Sequence, residues 1–597
     1  MTNPSNATGE SRLYRDPSRA VSERVEDLLA RMTLVDKVGQ MFHNMLLMGP
    51  DGTLAGASEV FNIESTERLV LERKMSHFNL LGPVVNPRET AEWHNRLQQL
   101  ALSTDLGIPI TLSSDPRNHF TSNVGTAFEA GALSQWPESL GLAALRSTSL
   151  IRRFADIARQ EYLALGFRCA LHPQVDLATE PRWSRISATF GEDANLSSEL
   201  VAAYIEGFQG AQLGPQSVAT MTKHFPGGGA QKDGEDPHFA YGREQVYPGG
   251  NLEYHMRPFK AAIAAGTAQM MPYYGMPVGT DFEEVGFAFN RGVITGLLRE
   301  KLGFQGVICT DWGLVTDSVI MGQPMPARAW GCEHLSEIER VKKLLDAGCD
   351  QIGGESCTQL LQRLVEEGDV PESRIDESVR RILRQKFELG LFDRPFVNVE
   401  EAKNLVGNQK FRREGHEAQC SAHTLLTNHH DLLPLRASEK YKVFLEGINH
   451  AVASARGLEV VDSVAQADLA ILRLKAPYEP RPGAFEAMFH AGSLEYDAPE
   501  KSRQAAIFEA VPTIVDLYLD RPAVVPEIAA AAAALLVNFG SSDEALLDTI
   551  FGVFAPLGKL PFDLPSSMES VRQSREDVPY DTKDPLFRYG DGGSYTH

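Results

Sequence analysis

At six points in this chain, acidic, basic and aromatic residues directly follow a short apolar run. Asp115 follows Ile110-Thr-Leu-Ser-Ser114, and Asp176 follows Leu171-His-Pro-Gln-Val175, with Arg182 and Arg185 just beyond. Lys223 and His224 follow Val218-Ala-Thr-Met-Thr222, and Tyr273 and Tyr274 follow Gln269-Met-Met-Pro272. Asp311 and Trp312 follow Val307-Ile-Cys-Thr310, and Glu355 follows Gln351-Ile-Gly-Gly354. Sugar chemistry uses this mixture. Carboxylates and cations hydrogen-bond hydroxyls, an indole covers a pyranose face, and glycoside hydrolysis needs two carboxyl-type groups flanking the scissile bond. Each residue also has a plainer reading: an Asp at a strand end caps the next helix, and a Lys-His dipeptide is a surface pair. Gly227-Gly-Gly229 invites a phosphate-cradle reading, but the chain has neither GxxxxGK[ST] nor GxGxxG there. No Gly-x-Ser-x-Gly elbow points to a serine hydrolase.

These residues need a scaffold that brings strand ends together. Eight apolar runs read as strands, at 39–45, 79–85, 108–113, 169–175, 218–222, 268–272, 306–310 and 350–354, with helical periodicity between them, as at 251–265 and 336–347. Eight strands alternating with helices predict a (β/α)8 TIM-like barrel over 26–396, with the active site at the strand C-termini. Residues 1–25 read as a polar tail and 397–430 as a linker. A second strand–helix alternation (442–445, 469–474, 513–519, 533–539) predicts a smaller three-layer α/β sandwich over 431–597. Its alanine run, 529–534, reads as a helix, and its polar C-terminal segment from Met568 as a surface extension.

The 597-residue length demands more than one hydrophobic core. A net charge of -22, from 79 acidic against 57 basic residues, disfavours nucleic acid and anionic membranes as partners. No run of 18 apolar residues suggests a membrane span, and the N-terminus lacks the basic and apolar regions of a signal peptide. Six scattered cysteines without a CxxC pair fit free thiols in a cytoplasmic protein, and no metal site is expected.

Several ordered blocks resemble glycoside hydrolase family 3. Lys223-His-Phe-Pro-Gly-Gly-Gly229 is similar to its KHFxG motif. Asp176-Leu-Ala-Thr-Glu-Pro-Arg-Trp-Ser-Arg-Ile186 with Thr189-Phe-Gly-Glu-Asp193 looks like its DLxxxPRWGRxxETFGED block, with Ser184 in place of glycine. Val307-Ile-Cys-Thr-Asp-Trp-Gly313 resembles the nucleophile strand. Arg374–Leu383 and Lys386–Asp393 resemble the closing helix of the barrel, and Leu432-Leu-Pro-Leu435 the start of the second domain. The resemblance runs from about residue 25 to the end. It implies that Asp311 forms a covalent glycosyl-enzyme, that Asp115, Arg185, Lys223, His224 and Tyr274 hold the sugar, and that Trp312 packs beside it.

In two-domain members of the family a glutamate from a second-domain loop acts as the general acid. Here that loop is 475–495, with Glu479, Glu486 and Glu495 as candidates. Glu479 is favoured because it follows the strand soonest and Arg481 stands close by, although the usual Gly-Glu spacing is absent. A rival is the Asp-x-His dyad of the family's β-N-acetylglucosaminidases, which Asp236-Pro-His238 resembles, two residues further from the lysine than in that branch; His238 also reads as a residue lining an outer subsite. The resemblance thus implies an exo-acting retaining β-glycosidase, a β-glucosidase first, needing no cofactor and taking a small carbohydrate or glycoside substrate. The alternatives are a β-N-acetylglucosaminidase or β-xylosidase of the same family, or a non-catalytic sugar-binding protein on the same scaffold. Oligomeric state is not legible.

Overall fold

A computed structural model of the chain describes residues 12–595. Eight parallel strands close into a barrel in sequence order: β1 Phe42–Leu47, β2 His77–Leu81, β3 Thr111–Ser114, β4 Phe167–Ala170, β5 Ala219–Phe225, β6 Gln269–Pro272, β7 Val307–Trp312 and β8 Gln351–Gly353. The seam is parallel as well, with Phe42 opposite Ile352. Each of the eight runs read from sequence overlaps one of these strands. They were legible because a parallel barrel strand is buried on both faces and so reads as an unbroken apolar run; all seven residues of β5, for example, are buried. The intervening helices carry their own stop signals. Helix Thr148–Leu165 begins under the Ser147 side chain, which accepts from Leu150 N, and ends at Gly166 with φ 88°.

The expected tail is shorter than 25 residues. Positions 1–11 lie outside the described residues, but Tyr14 is fully buried and helix Val21–Arg31 packs on the last barrel helix, Glu372–Glu388. Arg24 from this helix forms a two-pronged ion pair with Asp393 (3.0 and 2.7 Å). Its apolar face, Val25, Leu28 and Leu29, is what holds it down.

The segment expected as a linker, 397–430, is structured. It carries helices Val399–Leu405 and Gln409–Ala422 and strand β9, Thr424–Asn428. β9 pairs antiparallel with β14 (Ala534–Asn538) at the edge of a six-stranded sheet completed by β10 (Lys442–Glu446), β11 (Glu459–Val460), β12 (Leu469–Lys475) and β13 (Thr513–Tyr518). β9 escaped notice because it is an edge strand, with three of its five residues only half-buried. The alanine run is helical only to Ala531; Ala534 already belongs to β14, where its neighbours Leu535, Leu536 and Val537 are fully buried in the sheet.

The C-terminal extension returns to the barrel. The Glu192 carboxylate, from the Thr189–Asp193 block, accepts from Asp563 N (2.6 Å) and Tyr580 N (2.8 Å), and the Asp577 carboxylate accepts from Gly249 N and Asn251 N (2.7 Å each). All six cysteines are free and buried. Among the described residues no helix is long and apolar enough to cross a membrane.

Candidate active site

The strand ends surround a cavity that sequence-distant side chains line together. Asp115, Lys223, Tyr274, Asp311 and Trp312 line it, as the sequence reading expects. Asp311 ends β7. Its Oδ1 accepts from Trp312 N (2.9 Å), and its Oδ2 lies 3.9 Å from His224 Nε2. The Tyr274 hydroxyl accepts from Trp312 N (3.0 Å) and donates to Trp312 O (2.8 Å), which fixes the peptide next to the carboxylate. The Trp312 indole lies against Gly353 and Gly354, where a Cβ on either residue would collide with the ring.

Asp115 takes Lys223 Nζ on one oxygen (3.1 Å) and Asn79 Nδ2 on the other (2.9 Å). Its carboxylate is thus aimed by an amide from β2 and a cation from β5, two charge-assisted or polar contacts that hold it in place. His224 and Arg185 stand behind the lining. His224 Nδ1 bonds Asp176 Oδ2 (2.7 Å), while Asp176 Oδ1 accepts from His224 N (3.1 Å) and Gly228 N (2.6 Å). Burial pushes the Asp176 carboxyl up to about 6, and burial, reinforced by Arg185, holds His224 well below the ordinary imidazole range. Arg185 Nη2 donates to Gln174 Oε1 (3.0 Å). The glycine run has a packing reason rather than a phosphate-binding one: a Cβ at Gly228 would meet the Tyr273 ring, and one at Gly229 the Leu177 carbonyl. Glu355 is occupied with Val315 N, Thr316 N and the Thr316 hydroxyl (2.8, 2.9 and 2.6 Å) and holds a loop.

The structure redistributes the acid candidates. Glu479 is exposed, its N donates to Ala491 O (2.9 Å), and it lines a separate cleft with Lys475, Tyr478 and Glu495. Glu495 pairs with Lys501 (2.9 Å), and Glu486 accepts from the Tyr241 hydroxyl (2.5 Å). None of the three lines the Asp311 cavity; the loop's contribution there is Phe485. His238 does line it. Its Nδ1 bonds Asp236 Oδ1 (2.6 Å), which also accepts from His238 N (2.9 Å), while the Ser184 hydroxyl donates to Asp236 Oδ2 (2.9 Å). The serine that replaces the family's glycine therefore supports this dyad. Trp330 Nε1 donates to Pro237 O between the two residues (2.9 Å). The imidazole packs against Tyr274 and Phe489, with ring centroids 4.7 Å apart in each case. Burial is the largest single influence on the Asp236 carboxyl and would raise it, but His238 and Arg185 together bring the group down to about 2; burial lowers His238, against the pull of Asp236.

Two groups had no signal in the sequence. Asn79 is the middle residue of β2, and nothing in the sequence singles it out. Arg328 lies 17 positions beyond Asp311, and no local pattern marks it. It is 5% exposed, lines the cavity, and stands 5.4 Å from the centre of the Tyr274 ring.

The barrel thus sets the Asp311 carboxylate near the end of its seventh strand, in one cavity with Asp115 and Lys223. The family model "Glycosyl hydrolase family 3 N terminal domain" matches residues 33–385 and its C-terminal counterpart matches 441–595. The chain belongs to glycosyl hydrolase family 3. It is 57% identical to a probable beta-glucosidase C of Aspergillus flavus, over 98% of this chain and 92% of that one. It is 41% identical to a periplasmic beta-glucosidase/beta-xylosidase of Dickeya chrysanthemi, over 98% and 92%. The fold is similar to that of a β-glucosidase from Erythrobacter marinus, with a TM-score of 0.79 at 22% identity, covering 98% of this chain and 84% of that one.

Proposed function

We propose that this chain is an exo-acting, retaining β-glucosidase in which Asp311 is the nucleophile and His238, paired with Asp236, transfers the proton. The observation that carries this reading is that Asp311 and His238 line one cavity together with Tyr274, while none of the loop glutamates lines it. The relatives at 57% and 41% identity, named as β-glucosidases, support glucose as the sugar.

In the first step an Asp311 oxygen attacks the anomeric carbon while the bond to the leaving oxygen breaks, and protonated His238 passes its Nε2 proton to that oxygen. In the second step neutral His238 takes a proton from water, the resulting hydroxyl attacks the same carbon, and the Asp311 ester bond breaks. Two inversions give retention. Asp115 and Lys223 hold the sugar hydroxyls, and Asp236 fixes the imidazole so that Nε2 carries the mobile proton.

Incubation with a 2-deoxy-2-fluoro-β-glucosyl substrate, followed by peptide mapping, tests the assignment. The adduct is expected on Asp311. An adduct on another carboxylate, or brisk turnover by Asp311→Asn, overturns it. The second name carried by the Dickeya relative makes an aryl β-xyloside the control sugar.

A further inference from the structure

Arg328 is a buried cation without a counter-charge. Among the described residues it forms no ion pair within 4.0 Å, and one side-chain hydrogen bond, from Nη1 to Trp312 O (3.2 Å). Its Nε is buried with no partner, and Nη2 donates to nothing among the described residues. The nearby nucleophile does not neutralise it: the Asp311 oxygens meet Trp312 N and His224 instead. A guanidinium presents five donors in a planar fork, and burying even one of them, Nε, without a partner is costly. In this cavity, then, a guanidinium is held ready for an acceptor that the protein itself does not supply.

The walls say what kind of molecule carries that acceptor. The sugar-reading groups Asn79, Asp115 and Lys223 cluster at one side. Val124 and Ile320 pack on Phe485 in a separate apolar cluster that also lines the cavity, as does Phe61. A second pyranose placed there would set hydroxyls against carbon, each an unsatisfied polar group. A planar aromatic ring would lose nothing, and a carboxylate on it would match the guanidinium fork with two parallel hydrogen bonds.

We propose that Arg328, with the apolar wall around Phe485, forms an aglycone subsite for aromatic rings that bear a carboxylate, so that the preferred substrates are β-glucosides of phenolic acids. This rests on the β-glucosidase reading above. The overall charge of -22 does not oppose it, because surface charges beyond about 8 Å are screened at physiological salt.

The test compares 4-carboxyphenyl β-D-glucoside with 4-carbamoylphenyl β-D-glucoside, which have similar shape and leaving-group acidity but differ in charge. The full-length protein is expected to favour the carboxylate at least about tenfold in kcat/KM, the scale of a charge-assisted bond in a desolvated site. The difference should lie mainly in KM. Arg328→Gln should bring the ratio close to one. The ratio is its own control, so a general loss of activity in the variant does not disturb it. No preference in the unmodified protein, or a preference that survives Arg328→Gln, overturns the proposal. Hydrolysis of 4-nitrophenyl β-glucoside separates the two claims: turnover without carboxylate preference sinks this inference alone. If no glucoside is turned over, the functional reading fails, and calorimetric binding of the two intact glycosides still decides whether Arg328 reads the carboxylate.

Discussion

His238, on a loop of the barrel, and Phe489, on a loop of the second domain, hold their rings with centroids 4.7 Å apart. The second domain thus reaches His238 with a hydrocarbon, and its effect on the imidazole is to keep water from it. Phe489→Ala should let water reach the imidazole. Because burial is the main force lowering His238, its pKa should rise, and the alkaline limb of kcat/KM should move to higher pH. A pH profile on an aryl β-glucoside measures this, and an unmoved limb would show that Phe489 is only a spacer.

Asp236→Asn should act in the opposite direction. Asp236 favours the charged imidazole, so its loss lowers the His238 pKa further. The acid form of His238 disappears as pH rises through that pKa, and the unmodified protein should therefore lose kcat/KM at a limb below 6.5, with the limb of the variant lower still. Ser184→Gly, which removes the hydroxyl donated to Asp236, should give a smaller shift.

His238→Ala and Glu479→Ala separate the two assignments of the acid. Loss of a general acid costs ~10²–10⁴-fold on substrates with poor leaving groups and much less on dinitrophenyl glycosides. That pattern, with rescue by azide, is expected for His238→Ala, and near-normal turnover for the exposed Glu479→Ala. The reverse result would show that loop 475–495 rearranges when substrate binds.

Glu192 predicts a pH-dependent stability. Burial raises its carboxyl from the ordinary 4.5 to about 8 in the folded chain. The folded state therefore holds this proton more tightly than the unfolded one. The resulting stabilisation is complete below about pH 4.5 and is lost as pH rises through 8. Relative to Glu192→Gln, which does not titrate, the unmodified protein should gain melting temperature as pH falls from 8 to 4.5. A constant difference across that range would show that Glu192 is already ionised.

What could be read in the sequence follows the physics of burial. The eight barrel strands are buried on both sides and announce themselves as apolar runs; β9, half-exposed at a sheet edge, does not. Asp311, Asp115 and Lys223 were legible because strand ends converge in any such barrel. Which loop side chain lines the cavity was not, since nearness to a strand end along the chain says nothing about where a 20-residue loop points. Glu479 sits soonest after β12 and faces another cleft, while Phe485, six residues later, reaches the cavity. The Asp236-Pro-His238 spacing was a real signal whose weight depended on packing by Phe489 and support from Ser184. Arg328 required the three-dimensional structure altogether.

The Arg24–Asp393 clasp joins residues 369 positions apart, at the two ends of the barrel sequence. During synthesis the first helix therefore waits for nearly the whole barrel to leave the ribosome before it can lock. A nascent chain halted before Asp393 should remain open and protease-sensitive, and one halted shortly beyond the exit of Asp393 should become resistant before any of the second domain's parallel strands exist. The barrel would then be the template on which the second domain and its returning tail are laid down.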